Sequence, residues 1–290
     1  TNSQSSNSTL TFTVGKATPT FLAWSGVSKN YGDSAFNVTA PSVTGSVPGS
    51  FIYSSATSSV ISVSGTTLTV VGAGTSVITA TFTPNDTTNY NSATTTMTVT
   101  VNKGSPTFNA WSNVSKNFGD SAFSVTAPTE ANSVGGTFTY SSGTTSVISV
   151  SGSTLTVAGV GTSVITATFT PTYTTTYNTA TTTMTVTVGK ATPTFSSWSN
   201  VSKNFGDSAF TVTAPSVTGS VAGSFTYSSA TTSVISVSGT TLTVVGVGTS
   251  VITATFTPTD STNYNSATTT MTVTVGAGSQ SSTRTSTSPT

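Results

Sequence analysis

The chain has 290 residues, seven Lys and Arg against six Asp and Glu, no His, no Cys, and 52 Ser with 72 Thr, so hydroxyl side chains supply most of its polar surface. Without imidazole or thiolate it cannot build the common zinc sites, a Ser-His or Cys-His nucleophile, or a haem or iron–sulfur centre, and the sequence points to no catalytic residue and no cofactor. A net charge of +1 gives no basic footprint for nucleic acid and no basic amphipathic stretch for anionic membrane, and no apolar run is long enough to span a bilayer.

The organising feature is a period of 87 residues without insertion or deletion, marked by Trp24, Trp111 and Trp198, by Tyr53, Tyr140 and Tyr227, and by Met97, Met184 and Met271. The units are 16–102, 103–189 and 190–276. The first and third differ at only 12 of 87 positions, so their likeness records recent duplication. Where Leu22, Ala23 and Ile52 become Ser196, Ser197 and Thr226, the positions are expected to face solvent. A period of this length suits one small sandwich domain.

In chain order, residues 1–15 come first. Shifted by the same 87 they place Thr1-Asn2 on Thr88-Asn89, Leu10 on Met97, Phe12 on Val99 and Val14 on Val101, a degenerate copy of a unit's last strand. They are expected to be the remnant of a preceding unit of a longer array, a donor strand whose Leu10, Phe12 and Val14 add to a sheet edge of another subunit, or a local cap or disordered segment.

Seven short strands follow in the first unit, at 18–24, 35–40, 50–54, 60–63, 67–71, 75–83 and 94–101, bounded by Gly, Pro and Asn. Val, Ile, Phe, Tyr and Leu alternate there with Thr. The sixth strand sets Ile78, Ala80 and Phe82 against Val77, Thr79 and Thr81, and the seventh sets Met97, Val99 and Val101 against Thr96, Thr98 and Thr100: one face core, the other covered with Thr. Gly72-Ala73-Gly74 reads as a hairpin turn, because it joins two strands and opens no helix. The expected fold is all-β, three tandem immunoglobulin-like sandwiches.

Between units Val101 runs through Asn102 and Lys103 into the next first strand, and Val188 through Gly189 and Lys190. Connections this short are not flexible coils, so a stiff rod on the order of 110 Å is expected. The 277–290 tail is rich in Gly, Ser and Thr and is expected to be flexible.

The run Val60-Ile-Ser-Val-Ser-Gly-Thr-Thr-Leu-Thr-Val-Val-Gly-Ala-Gly, followed by Pro84-Asn-Asp-Thr-Thr-Asn-Tyr and a strand leading into Gly/Asn-Lys-Ala/Gly-Thr/Ser-Pro, resembles the bacterial immunoglobulin-like (Big) repeats of invasin- and intimin-type adhesins and other bacterial or phage surface proteins. The resemblance covers 16–276. It implies tandem sandwiches serving as stalks and spacers, less often as a binding tip, and supplies no catalytic residues.

Three constellations are candidates for function. Lys29 with Asp33, Lys116 with Asp120, and Lys203 with Asp207 place opposite charges across an Asn-x-Gly-Asp turn, as a loop ion pair or, alternatively, an intramolecular isopeptide bond. Trp24, Trp111 and Trp198 are sugar-stacking platforms or domain-junction packing, their place beside the join favouring packing. Six acids over three domains are too few for a six- to eight-coordinate calcium site. The function expected is that of an extracellular structural or adhesion protein on a cell or virion surface. The alternatives are a filament subunit polymerising by strand addition and a glycan-binding adhesin.

Overall fold

The computed structural model describes residues 3–278; Thr1, Asn2 and tail residues 279–290 lie outside the described residues. The first repeat contains β1 (Val27–Asn30), β2 (Phe36–Asn37), β3 (Gly49–Ser55), β4 (Ile61–Ser64), β5 (Thr67–Val70), β6 (Gly74–Pro84) and β7 (Ala93–Asn102). These form a four-stranded sheet in the order β1-β7-β6-β3 and a three-stranded sheet in the order β2-β5-β4. The second repeat gives β8 (Val114–Asn117), β9 (Phe123–Ser124), β10 (Gly136–Ser142), β11 (Ile148–Ser151), β12 (Thr154–Val157), β13 (Gly161–Pro171) and β14 (Ala180–Gly189). The third gives β15 (Val201–Asn204), β16 (Phe210–Thr211), β17 (Gly223–Ser229), β18 (Ile235–Ser238), β19 (Thr241–Val244), β20 (Gly248–Pro258) and β21 (Ala267–Gly276), with the same two sheet orders in both. Two facing sheets linked in this order make each repeat an immunoglobulin-like sandwich. By compactness the chain falls into two units, Thr1–Ala110 with Pro128–Thr139 and Thr168–Thr182, and Trp111–Ala127 with Tyr140–Ala167 and Thr183–Thr290.

The alternation in β6 and β7 decides the core. Ile78, Ala80 and Val99 are fully buried and Phe82, Met97 and Val101 nearly so, while Val77 on the opposite face of β6 is 41% exposed. From the other sheet Ile61 and Leu68 close the layer. Each such aliphatic side chain contributes about 1.5–3 kcal/mol by leaving water. The second and third repeats bury the same set, Ile165, Ala167 and Val186, then Ile252, Ala254 and Val273. Leu22, Ala23 and Ile52 are exposed, as the drift to Ser and Thr at those positions implies.

One polar group is drawn inside each core. Ser76 is 1% exposed, its hydroxyl lies 2.8 Å from Ser55 Oγ, and it accepts the Thr57 N–H at 3.1 Å. Ser163 and Ser250 repeat the arrangement. The hydroxyl thereby satisfies the backbone where the chain leaves β3, at no cost in stranded polar atoms.

Two local expectations need correction. The first strand does not run over 18–24: residues 17–24 make only isolated bridges, Ala17↔Tyr90 and Phe21↔Val43, and the edge strand is β1, parallel to β7 with Val27 opposite Val99. Pro19 has no N–H to give a ladder, and Phe21 and Trp24 turn inward onto Phe51, Phe82 and Tyr53. The residues of β1, Val-Ser-Lys-Asn, carry no strand-like run of apolar side chains, so they read as loop. The Gly72-Ala73-Gly74 segment is not a hairpin either, because β5 and β6 belong to different sheets and it carries the chain across the sandwich. A Cβ on Gly72 would sit 2.5 Å from the Ser59 carbonyl oxygen, and Gly74 has φ of 137°. The hairpin lies one step earlier, between β4 and β5, where Gly65 takes φ of 60°.

Candidate functional site

Within the first compact unit, β7 ends at Asn102 and a single residue, Lys103, precedes the bridge between Gly104 and Tyr177. The carbonyl of Asn102 accepts the Tyr31 N–H at 2.8 Å, which pins the turn after β1 to the end of β7. Tyr31 then meets Tyr177 edge-on, ring centroids 5.1 Å apart at 84°. Lys103 Nζ donates to the Thr174 carbonyl at 2.6 Å, tying the connection to the loop that carries Tyr177.

Inside the second unit the same geometry recurs with different residues. Gly189 O accepts the Phe118 N–H at 2.9 Å, and Phe118 meets Tyr264 edge-on at 5.4 Å and 85°. Here the loop after β20 is organised by Asp260, whose Oδ1 accepts the N–H groups of Thr262 and Asn263 and whose Oδ2 accepts from Asn263 Nδ2 at 2.8 Å. That clamp leaves Asn263 Oδ1 to accept the Val160 N–H at 3.1 Å. The hydrogen bonds, the side-chain amide of Asn263 first, hold the Asp260 carboxyl below the usual carboxylate range, and Asn89 does the same to Asp86. Edge-on aromatic pairs contribute about 0.5–1.5 kcal/mol beyond the area they bury.

The tryptophans, expected at the joins, lie elsewhere. Trp24 packs 6.0 Å from Tyr53 in its own sandwich and donates its indole N–H to the Thr39 carbonyl at 2.9 Å. Trp111 and Trp198 do the same with Tyr140 and Tyr227, and with the carbonyls of Thr126 and Thr213. Burial pushes the Tyr53, Tyr140 and Tyr227 hydroxyls up from their ordinary pKa. Proximity in sequence to the join misleads because 18–26 crosses the side of the sandwich before β1 begins. Trp24 also borders a cleft of about 410 Å³ with Phe36, Pro41 and Met97, and Trp198 borders its counterpart in the third repeat.

The charged pairs take separate partners. Lys29 Nζ lies 4.7 Å from the centre of the Phe36 ring, and Lys116 and Lys203 sit likewise over Phe123 and Phe210. Asp33 accepts the Asn30 N–H at 2.9 Å, closing a turn in which Gly32 has φ of 96°; Asp120 and Asp207 do the same for Asn117 and Asn204. The carboxylate is thus a turn cap and the ammonium a cation on an aromatic face.

Leu10, Phe12 and Val14 are 80, 83 and 93% exposed, in a segment without strand structure. Among the described residues no group of three or more acidic side chains is placed to hold a metal, and no helix is long and apolar enough to cross a membrane. Tyr31, Phe118, Asn263, Val160 and the tyrosines after β6, β13 and β20 were not singled out by the sequence. The available signal was an aromatic residue recurring on both sides of each join.

No protein-family model and no curated protein matches the chain. Among solved structures it is similar to Drosophila N-cadherin EC1-4, with 9% identity and a TM-score of 0.32 over 89% of this chain and 75% of that one. It is also similar to Drosophila N-cadherin EC1-3, with 10% identity and a TM-score of 0.30 over 91% of this chain and 100% of the other. A third is Drosophila OTK extracellular domains 3-5, with 8% identity and a TM-score of 0.31 over 89% of this chain and 97% of that chain. These likenesses carry no inference about activity or partners, and the assignment of the sandwich rests on the strand order itself.

Proposed function

We propose that the chain is a non-enzymatic extracellular structural protein, a stiff stalk of immunoglobulin-like repeats on a bacterial cell or virion surface that holds an adhesive or receptor-binding part at a distance. The observation that carries this reading is the connection between repeats. One residue, Lys103 or Lys190, separates the last strand of one repeat from the first bridge of the next, and its ammonium is bound to a carbonyl of the following loop. A linker with no free residues and an aromatic pair beside it favours stiffness over swing. Lack of Cys and sparse charge suit an oxidising exterior. Small-angle scattering and electron microscopy test it: a stalk gives a monomeric particle with a longest dimension on the order of 110 Å, whereas a broad distribution of bent shapes would refute stiffness.

A second reading, a filament subunit that polymerises by strand addition, is favoured by the exposure of Leu10, Phe12 and Val14, an alternating apolar strand pattern without a sheet. Its test is a version beginning at Lys16. Loss of filaments on removing 1–15 supports strand addition, and unchanged behaviour rejects it.

A further inference from the structure

The residues that make the second seam are present again, separated, in the first and third repeats. On the accepting side, Asp260, Asn263 and Tyr264 of the third repeat have identical counterparts in Asp86, Asn89 and Tyr90 of the first, whereas the second repeat has Tyr173, Thr176 and Tyr177. The likeness extends to geometry. Asp86 Oδ1 accepts the N–H groups of Thr88 and Asn89, and Asp86 Oδ2 accepts from Asn89 Nδ2 at 2.8 Å. The same clamp that frees Asn263 Oδ1 for the Val160 N–H therefore presents Asn89 Oδ1. Lys16 Nζ donates to the Thr87 carbonyl at 2.7 Å as Lys190 does to Ser261, and Ala17 bridges to Tyr90 as Ala191 does to Tyr264.

On the donating side, Phe118 and Val160 are half-buried, one against Tyr264 and the other with its N–H on Asn263. Their equivalents in the third repeat, also Phe and Val, are Phe205, 53% exposed, and Val247, 57% exposed. The first repeat differs here as well, with Tyr31 and Ala73. The third repeat thus carries, in Phe205 and Val247, the donor of the second seam, and the first repeat carries its acceptor in Asp86, Asn89 and Tyr90.

We infer that the chain binds a second copy of itself head to tail, Phe205 and Val247 of one molecule seating on Asn89 and Tyr90 of the next in the manner of the second seam. The contact is heterologous, so its repetition adds copies in one direction, closing into a ring or running on as an open chain according to the rotation between copies. It is distinct from strand addition, because it uses none of residues 1–15, and it stands whether or not the stalk reading holds. Two segments must yield for docking: Ala277-Gly278, since Gly278 lies against the Phe205 carbonyl as Gly104 lies against that of Tyr31 at the first seam, and Gly15, which precedes Lys16 in the place Gly189 takes before Lys190.

Two variants, Tyr90→Ala and Phe205→Ser, with sedimentation velocity over a concentration series, test the inference. The unaltered chain is expected to gain mass with concentration up to about 1 mM, the range of weak contacts, while each variant alone stays monomeric. An equimolar mixture of the two is expected to form dimers and nothing larger, since one variant keeps its donor and the other its acceptor. Val247→Lys provides an independent donor variant outside the ring pair, with unchanged melting as evidence of folding. A chain ending at Gly276 is expected to associate more tightly, and one beginning at Lys16 to associate undiminished. A chain that remains monomeric throughout, variants that still associate, a mixture that forms no dimer, or no gain on removing 277–290 would each overturn the proposal.

Discussion

The loop after β13 and the loop after β20 occupy the same place in neighbouring repeats, yet they are organised by different chemistry. In the third repeat Asp260 collects three hydrogen bonds and aims Asn263 at the Val160 N–H; in the second, Tyr173 and Thr176 stand at those positions, and Tyr173 is 68% exposed. The strand order and buried residues behind the two loops are the same. A sandwich of fixed core therefore carries different end chemistry on this loop, with Asp260 and Asn263 in one repeat where Tyr173 and Thr176 stand in the other.

The comparison breaks most sharply if the cores are not equivalent. Truncating the buried Ile78, Ile165 or Ile252 to Ala is expected to cost about 2–5 kcal/mol in each case, and similarly in all three repeats. Denaturant unfolding of the variants reads this. A much smaller loss for Ile165 would mean that the second repeat differs in its core as well as its loop.

Next in size are the glycines that begin β3, β10 and β17. A Cβ on Gly223 would lie 2.5 Å from the Thr257 carbonyl oxygen and press on the Phe256 ring, and Gly49 and Gly136 meet the same obstruction. Gly223→Ala is expected to destabilise its repeat by about 1–3 kcal/mol, because backbone as well as ring must move. Thermal unfolding checks this, and an unchanged melting point would show that the strand end shifts freely.

The loops themselves give the effect that sharpens the contrast. Asn263→Ala removes the acceptor of the Val160 N–H and the partner of Asp260, for an expected loss of about 1 kcal/mol and faster exchange of the Val160 amide. Conversely, Tyr173→Asp combined with Thr176→Asn should slow exchange of the amide of Ala73, the residue equivalent to Val160. If the graft changes nothing there, the seam depends on more than this loop.

Much of this architecture is legible in the sequence, for physical reasons. β3 to β7 lie within a residue or two of their expected places because alternation of Val, Ile and Phe with Thr has no other stable use than a half-buried strand. β1 was hidden because Val27–Asn30 offers a single apolar residue, Val27, to the core and pairs parallel to β7, with Lys29 reaching Phe36 instead. The Trp24 indole was misplaced because its partner Tyr53 is distant in sequence. The seams were invisible for a related reason: Tyr31 and Tyr177 are 146 positions apart, and no local pattern announces that two loops will meet.

The smallest expected effect is on acid response, and it separates the loops most cleanly. Asp86 and Asp260 have folded pKa values below that of a free carboxylate, through the side-chain amide of the Asn three residues on, then backbone N–H groups and the nearby Lys. A depressed folded pKa contributes stability that is fully present above the unfolded value and is lost as pH falls through the folded one. As pH falls through and below the ordinary carboxylate range, the amides of Asn89 and Asn263 should therefore lose protection from exchange, with carboxyl midpoints below that of a free carboxylate. The loop carrying Tyr173 has no carboxylate to protonate, so its amides should keep the protection they have at neutral pH. Both carboxyls are solvent-exposed, so the change is local and salt-sensitive, and Asp86→Asn should abolish it in the first repeat alone. Equal acid sensitivity of all three loops would show that the Asp–Asn clamp does not organise them, and would remove the distinction on which the difference between the two seams depends.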